Sequence, residues 1–594
     1  MTAAADQKTE LDGGGRYNPG MPIPDLLCAA PALRLDAAAL KQTLTFAFAS
    51  GAPGSAFAQV LEKAALPPTS WDPSAFAEQL FLADFVASCL RVKIDHRPYA
   101  VDQLSLRRVL SRPPEDLGVI EFRREILAEL AGSAEVRGQF ERVYTHIYEL
   151  RSLLEVPPLT RRVDANRRRL DILGAMKRSI DAMADSFATA QSGLVRMREF
   201  GAQTRAGTAY ARLASLLDYD DNLSTLDLRI RVGLDGRVRG LEMLSVRENA
   251  GNWFYSSPLG RLWARLSLLL RGYRLSEQEV IARLIDGVFD GLEDEFVLVF
   301  QLMGDMEFHL AALAFRDQAE ASGLAVCLPL LVRPGSPSLP APRREIRGLY
   351  NPLLLSNTPN VVTCDVATAR HATIVIVTGP NSGGKTRLLQ ALALAQMLGQ
   401  SGFFVPAREA RLLLVPGLFV SFIEEAKADQ VEGRLGMELI RIRSVFEKLK
   451  MGSMVMLDEL CSGTNPSEGE EIFELVLGLL AELEPQAFIT THFLRLASRI
   501  AHHPPTEHLS FLQVELDAQE WPTFRFIPGV AETSLAHRTA ARLGVTREEL
   551  LALVERAKRA HASAAADANG SPTGPAGSVV PRATGTELGA RRPR

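Results

Sequence analysis

Apolar positions along the chain keep three rhythms. Leu173, Met176, Ile180, Met183, Phe187, Ala190, Leu194 and Met197 stand three and four apart in alternation. That is a heptad seam, and it predicts one long helix packed lengthwise on another. Over 225–246 the period falls to two. Leu226, Leu228, Ile230 and Val232 alternate with Asp227, Arg229 and Arg231, and Asp235-Gly236 marks a turn, so a β-hairpin is expected. Unbroken β-branched or apolar runs at 374–378, 454–457 and 487–491 have the third rhythm, that of buried strands. Amphipathic helix is expected over 107–154 and again over 260–321.

Composition shifts divide the chain. Residues 1–25 are small and polar and are expected to be disordered; 26–100 form short apolar helices broken by Gly and Pro, with no legible role. A helical region follows over 101–332, then a Pro-rich linker at 333–343, an α/β domain at 344–528 and a helical element at 529–561. The tail 562–594, rich in Ala, Gly, Pro and Thr, is expected to be disordered.

Hydrophobic residues at 47% and charged residues at 23% suit a globular chain. No run of eighteen apolar residues occurs, so no transmembrane helix is expected, and the N-terminus has no secretion-signal pattern. Five scattered cysteines read as reduced thiols, so a cytoplasmic protein is expected. A net charge of −4 gives no global support for nucleic-acid binding; any contact with DNA would come from local arginines. The candidates are Arg167 and Arg168 before the seam, and Arg229, Arg231 and Arg237 on the hairpin. The plainer reading of the first pair is a solvated helix face, and of the hairpin set, edge protection.

The run 374–378 ends in Gly379-Pro380-Asn381-Ser382-Gly383-Gly384-Lys385-Thr386, and a helical pattern follows with Leu388, Leu389, Leu392 and Leu394. Strand, G-x-x-x-x-G-K-T and helix in that order are the setting of a phosphate-binding loop. Glycines let backbone N–H groups crowd round phosphate oxygens, and the helix N-terminus adds its positive dipole end. Lys385 is expected to reach the β- and γ-phosphates of ATP and the Thr386 hydroxyl to sit on Mg²⁺. The second run ends in Asp458-Glu459. Asp458 is placed to bind Mg²⁺ through water, and Glu459 to orient or deprotonate the attacking water. The third ends at His492, a candidate sensor of the γ-phosphate. Each run alone is equally a core strand with a polar end. Together they predict an ATP-binding α/β domain.

Residues 348–560 resemble the ATPase domain of the MutS family of DNA mismatch-repair proteins. The resemblance lies in the 379–386 loop, in Gly402-Phe403-Phe404-Val405-Pro406-Ala407, in the block from Asp458-Glu459 through Gly463-Thr464 to Glu468-Gly469, and in Thr491-His492-Phe493. Gly529, Ser534, Ala540 and Gly544 are similar to the family's C-terminal dimerisation element. The resemblance implies an α/β P-loop ATPase domain, ABC/MutS-like, with a mostly parallel sheet. A largely α-helical core and lever region, with the small hairpin inserted, would precede it. It also implies a homodimer, with Gly433, Arg434, Gly463 and Thr464 in loops that meet the partner's nucleotide.

Departures bear on function. Leu435 and Gly436 stand where the family's signature carries hydroxyl residues, Arg387 where a second Ser or Thr is usual, and Asn351-Pro352 where His-Pro is common. Phe76-Ala77-Glu78 spells the family's mismatch wedge but lies in a short, helical stretch and is read as coincidence. The expectation is therefore a MutS-related, dimeric, ATP-dependent DNA-binding protein in the cytoplasm, nucleoid-associated and without a membrane partner. It would act in mismatch repair or related processing of mismatched or branched DNA, closing a clamp with ATP. The alternatives are an ATP-gated scaffold and a recombination- or ribosome-associated ATPase without mismatch recognition.

Overall fold

The computed structural model describes residues 21–155, 165–222, 225–232, 238–247, 277–334, 343–368, 370, 372–422, 434–461, 465–533 and 544–569. Two compact units are present, one ending at Thr533 and the other starting at Ser534.

The helical part of the first unit comprises α1 (Ala37–Ser50), α2 (Gly54–Glu62), α3 (Leu82–Cys89), α4 (Gln103–Leu110), α5 (Leu117–Gly132) and α6 (Ala134–Leu154). It continues with α7 (Ala165–Ala184), α8 (Val195–Ala206), α9 (Thr208–Asn222), α10 (Glu277–Asp290) and α11 (Glu293–Ala321). Asp36, Asp102, Asp116 and Ser133 accept backbone N–H bonds at the starts of α1, α4, α5 and α6, which satisfies donors that a helix leaves unpaired. Strands β1 (Lys93–Ile94) and β2 (Arg97–Pro98) form a small ladder. β3 (Thr225–Val232) and β4 (Val238–Arg247) pair antiparallel.

The 29 residues of α11 make an axis of about 43 Å for this part. By length and composition α11 is apolar enough to cross a membrane, yet its most apolar stretch is 94% buried inside the protein. Polar groups of the same helix fasten the chain's beginning. Asp305 accepts from the Leu26 N–H at 3.0 Å and pairs with Arg34, which also meets Asp25 at 3.2 Å. Gln301 accepts from the Arg34 N–H at 2.6 Å, and His309 Nε2 lies 3.1 Å from the Leu26 carbonyl. Residues 26–100 thus have a structural role: much of the core is theirs.

The heptad seam is not one helix. It folds back between α7 and α8, where Phe187 takes a left-handed φ of 61°. All of the seam residues except the half-buried Ala190 are buried all the same: those on the two helices face the core, and Phe187 and Leu194 enter it from the connection. Gly201 allows the contact: a Cβ there would stand 2.6 Å from the Ala184 nitrogen and 2.8 Å from the Met183 Cβ. Apolar spacing reports burial, and a helical hairpin buries the same positions as a straight rod.

The α/β part comprises β5 (Leu330–Val332), β6 (Glu345–Leu349), β7 (Cys364–Ala367), β8 (Thr373–Thr378), α12 (Lys385–Gln400), β9 (Glu409–Leu413) and β10 (Leu418–Ser421). Then come α13 (Arg434–Lys448), β11 (Met454–Leu457), α14 (Pro466–Ala481), β12 (Gln486–Thr490), α15 (Leu494–His502), β13 (Leu509–Leu516) and β14 (Pro522–Pro528). A six-stranded sheet has the order β10-β11-β12-β8-β13-β14, parallel except for β14. A four-stranded sheet has the order β5-β9-β6-β7. Val375 and Val377 of β8 face the core that contains α12, and Ile374 and Ile376 face the core built from α14 and α15. A strand buried on both faces needs the unbroken apolar run seen in the sequence.

Most of the linker expected at 333–343 lies outside the described residues, and packing does not part there. One apolar core runs from α1 through α11 into α12 and β10, with Phe308 edge-on to Phe403 at 5.3 Å. Arg123 of α5 donates to the carbonyls of Leu27 at 2.9 Å and Ser401 at 3.0 Å, joining the first strap of chain to the end of α12. The second unit contributes α16 (Arg547–Asn569).

Candidate nucleotide-binding site

Parallel pairing sets the site. In register, Leu457 lies opposite Ile489 and Thr490 opposite Val377, so β8, β11 and β12 end side by side. The residues that follow them, 379–386, Asp458-Glu459 and Thr491-His492, therefore leave the same edge of the sheet, where open α/β sheets hold their ligands.

The loop from Gly379 to Gly384 turns tightly behind α12. Gly379 has φ 140°, and a Cβ on it would stand 2.6 Å from Val514 Cγ2. A Cβ on Gly383 would lie 2.9 Å from the Pro380 carbonyl oxygen. Gly384, with φ 89°, is the N-cap of α12. Lys385 is buried and donates to the carbonyls of Gly379 at 3.1 Å and Pro380 at 3.2 Å, with Glu459 at 4.0 Å. Burial pushes its pKa below the usual lysine value, and the Glu459 and Asp458 carboxylates pull partly against that shift. A desolvated ammonium held by carbonyls is primed for an anion, which satisfies it better.

Thr386 Oγ1 donates to Asp458 Oδ2 at 2.7 Å. Glu459 is in the left-handed region at φ 47°, and its N–H donates to Thr490 Oγ1 at 2.7 Å. A cavity of about 1260 Å³ opens over these groups. Asn381, Ser382, Gly384, Lys385, Thr386, Asp458 and Glu459 line it; Gly379, Pro380 and Gly383 form the loop behind. Its other walls are the stretch 349–364, Phe524 and Phe526 of β14, and, from far upstream, Glu78, Gln79 and Phe81. His492 is not brought to the lining; its ring lies 4.3 Å from that of Phe493.

The donor set fits a nucleotide with Mg²⁺. A hydroxyl and a carboxylate at hydrogen-bond distance are hard oxygen ligands of the kind Mg²⁺ takes alongside phosphates and water. Beside them stand a buried lysine and a helix N-terminus.

Thr490 went unnoticed in the sequence because only strand register places it beside Asp458. The wall at 78–81 carries no local signal at all. Asn351 is capping a turn and joins it to the helix after the loop, donating to the Arg387 carbonyl at 3.2 Å and to Gln390 Oε1 at 3.0 Å. Arg168 is engaged inside the protein: its guanidinium donates to the carbonyls of Ala47, Phe48 and Leu153 at 2.7, 2.9 and 3.1 Å. Arg167 pairs with Asp171 at 3.1 Å. Arg229 and Arg231 stand on β3, with their side chains outside the described residues. Gly433, Gly463, Thr464 and Arg237 lie outside the described residues, as does the side chain of Arg434, which begins α13.

Residues 375–562 match the family description MutS domain V. The chain is 29% identical over 285 residues to a protein of Thermomicrobium roseum named Endonuclease MutS2, an alignment covering 47% of this chain and 35% of that one. Its likeness to the Endonuclease MutS2 of Thermus thermophilus is 28% over 352 residues, 57% of this chain and 44% of the relative. With the same-named protein of Streptococcus thermophilus it is 31% over 203 residues, 34% and 25%. The chain thus spans less than half the length of these relatives.

Proposed function

Since residues 375–562 make this chain a member of the MutS family, we propose that it is a DNA-binding ATPase whose nucleotide state sets its grip on DNA. The observation that carries the reading is the meeting of Lys385, Thr386, Asp458 and Glu459 in one cavity, with Thr386 bonded to Asp458 at 2.7 Å. In this reading Mg²⁺ neutralises phosphate charge. Thr386 and Asp458 hold the ion, Lys385 leaves its carbonyls for the β- and γ-phosphates, and amides of 381–386 cradle their oxygens. Glu459, one residue beyond the metal-side carboxylate, orients the attacking water and takes its proton.

A homodimer accords with exposed Leu475 and Leu479 on α14 and exposed Leu439 and Ile440 on α13, apolar surface of the kind a second subunit covers. Endonuclease activity stays with the relatives' printed name. The second reading, an ATP-gated scaffold with little turnover, is favoured by Leu435-Gly436, where hydroxyls for a partner's nucleotide are missing.

Glu459→Ala should abolish hydrolysis while ATP still binds; normal turnover in that variant would sink the assignment. The rate of the unaltered protein with homoduplex, single-mismatch duplex and four-way junction then sorts the DNA readings. Stimulation by mismatches alone favours repair. Stimulation by junctions favours a recombination role, and a flat response to all three favours the scaffold.

A further inference from the structure

The segment 70–81 is tied along the outer edge of the six-stranded sheet. Ser70 Oγ donates to the Pro416 carbonyl at 2.6 Å and the buried Trp71 donates through Nε1 to the Val415 carbonyl at 3.1 Å, just before β10. Asp72 pairs with Lys448 of α13 at 3.1 Å. Just after β10, the Phe422 N–H donates to Gln79 Oε1 at 3.1 Å. β10 is the outermost strand, so these bonds cover an edge that would otherwise invite pairing.

Edge protection alone does not require the segment to enter the cavity. Yet Glu78, Gln79 and Phe81 line the same space as Lys385, Thr386 and Asp458. Phe81 does so with a left-handed φ of 52° and half its surface exposed. Both are unfavourable for a bulky aromatic, and such outliers cluster where a ligand or a switch needs them. From Gln79 the path to the reacting end is short. It holds the Phe422 N–H, and the preceding residue, Ser421, accepts from the Asp458 N–H at 2.9 Å. On its other side the segment leads into α3, where Phe85 meets Phe315 of α11 edge-on at 5.7 Å. Cys89 Sγ reaches the Pro352 carbonyl at 3.4 Å, beside the cavity wall at 349–354.

We infer that Gln79 is a positioning residue for the metal-side carboxylate Asp458, and that residues 78–81 are a nucleotide-responsive wall joining the cavity to α11. The inference rests on the nucleotide reading above. Gln79 fixes the end of β10 at Phe422, that end fixes the height of Asp458 through the Ser421 carbonyl, and α3 carries any shift of the wall to the helical core. The Phe-Ala-Glu triplet at 76–78 belongs to this device: Phe76 is fully buried against Trp71, edge-on at 5.4 Å.

The test compares full-length Gln79→Leu, which removes the acceptor, with Gln79→Glu, which keeps one. ATP binding is measured without Mg²⁺, and turnover is titrated with Mg²⁺. Gln79→Leu should need about threefold more Mg²⁺ for half-maximal turnover, below the roughly tenfold of losing a group bonded to a metal ligand itself, because Gln79 acts through Phe422 and Ser421. Its metal-free ATP affinity should match that of the unaltered chain, and Gln79→Glu should restore the Mg²⁺ requirement. An unchanged Mg²⁺ requirement in Gln79→Leu overturns the positioning role while the ATPase reading stands. If the unaltered chain binds no ATP, both fall. Hydrogen exchange on the unaltered protein gives a second readout that needs no variant. Amides of 76–89 should exchange more slowly with MgATP, and no change there overturns the responsive wall.

Discussion

Thr490 Oγ1 donates to Asp458 Oδ1 at 2.6 Å while the same oxygen accepts the Glu459 N–H at 2.7 Å. One buried hydroxyl thus aims the carboxylate and helps hold Glu459 in its left-handed conformation, which without such bonds costs about 1–3 kcal/mol. With Thr386 on the other oxygen, Asp458 is fixed from strand β12 and from the first turn of helix α12 at once.

Thr490→Val, of nearly equal volume, should lower unfolding stability by about 1–3 kcal/mol, because it leaves a buried acceptor and a buried N–H unpaired. Thr490→Ser keeps the hydroxyl and should stay close to the unaltered protein. Urea unfolding of the two variants decides the matter; equal stability would remove the hydroxyl from this role.

Gly201→Ala separates a helical hairpin from a straight helix by its sign. On an exposed face of a continuous helix, alanine would stabilise by about 1 kcal/mol. In the α7–α8 contact its Cβ meets the Ala184 nitrogen at 2.6 Å, so a loss of about 1–3 kcal/mol is expected. Thermal unfolding gives the answer, and a gain in stability would count against the hairpin.

Gly379→Ala should be costly for two reasons: φ of 140° disfavours any side chain, and its Cβ would collide with Val514. Adding Val514→Ala relieves the collision but not the backbone. The double variant should therefore recover only part of the lost stability and of the ATP affinity. Full recovery would mean that the conformation of Gly379 is of no consequence.

Glu307 sits fully buried on α11, accepting from the Asp102 N–H at 2.9 Å and the Tyr144 hydroxyl at 3.2 Å. Burial raises its pKa from 4.5 to about 7, against the pull of the Asp102 N–H and of Arg151. The folded chain then binds this proton more tightly than the unfolded chain. The stabilisation is complete below about pH 4.5 and is lost as pH rises through about 7. The ceiling is about 3 kcal/mol. Glu307→Gln should flatten this part of the pH profile between pH 5 and 8 in urea unfolding. A profile parallel to that of the unaltered protein would exclude Glu307 as its source.

Local structure was legible in the residues alone. The run 374–378, the glycines of 379–384, and Asp458-Glu459 after 454–457 are short-range signals, because strand, tight turn and helix start are decided by neighbours in sequence. The β3–β4 hairpin rests on the same kind of signal. Tertiary structure decided whatever depends on partners far along the chain. The seam's apolar spacing could not tell a rod from a hairpin, which turns on Phe187 and on the small Gly201. The guanidinium of Arg168 is drawn into carbonyls of α1 and α6 instead of facing outward. Thr490 meets Asp458 only through the pairing of β11 with β12. Gln79 reaches Phe422 across 343 residues. Hydrophobic burial is not directional, so it fixes which residues go inside without fixing which of them meet. Those meetings come from strand register, close backbone approach and the pairing of buried polar groups.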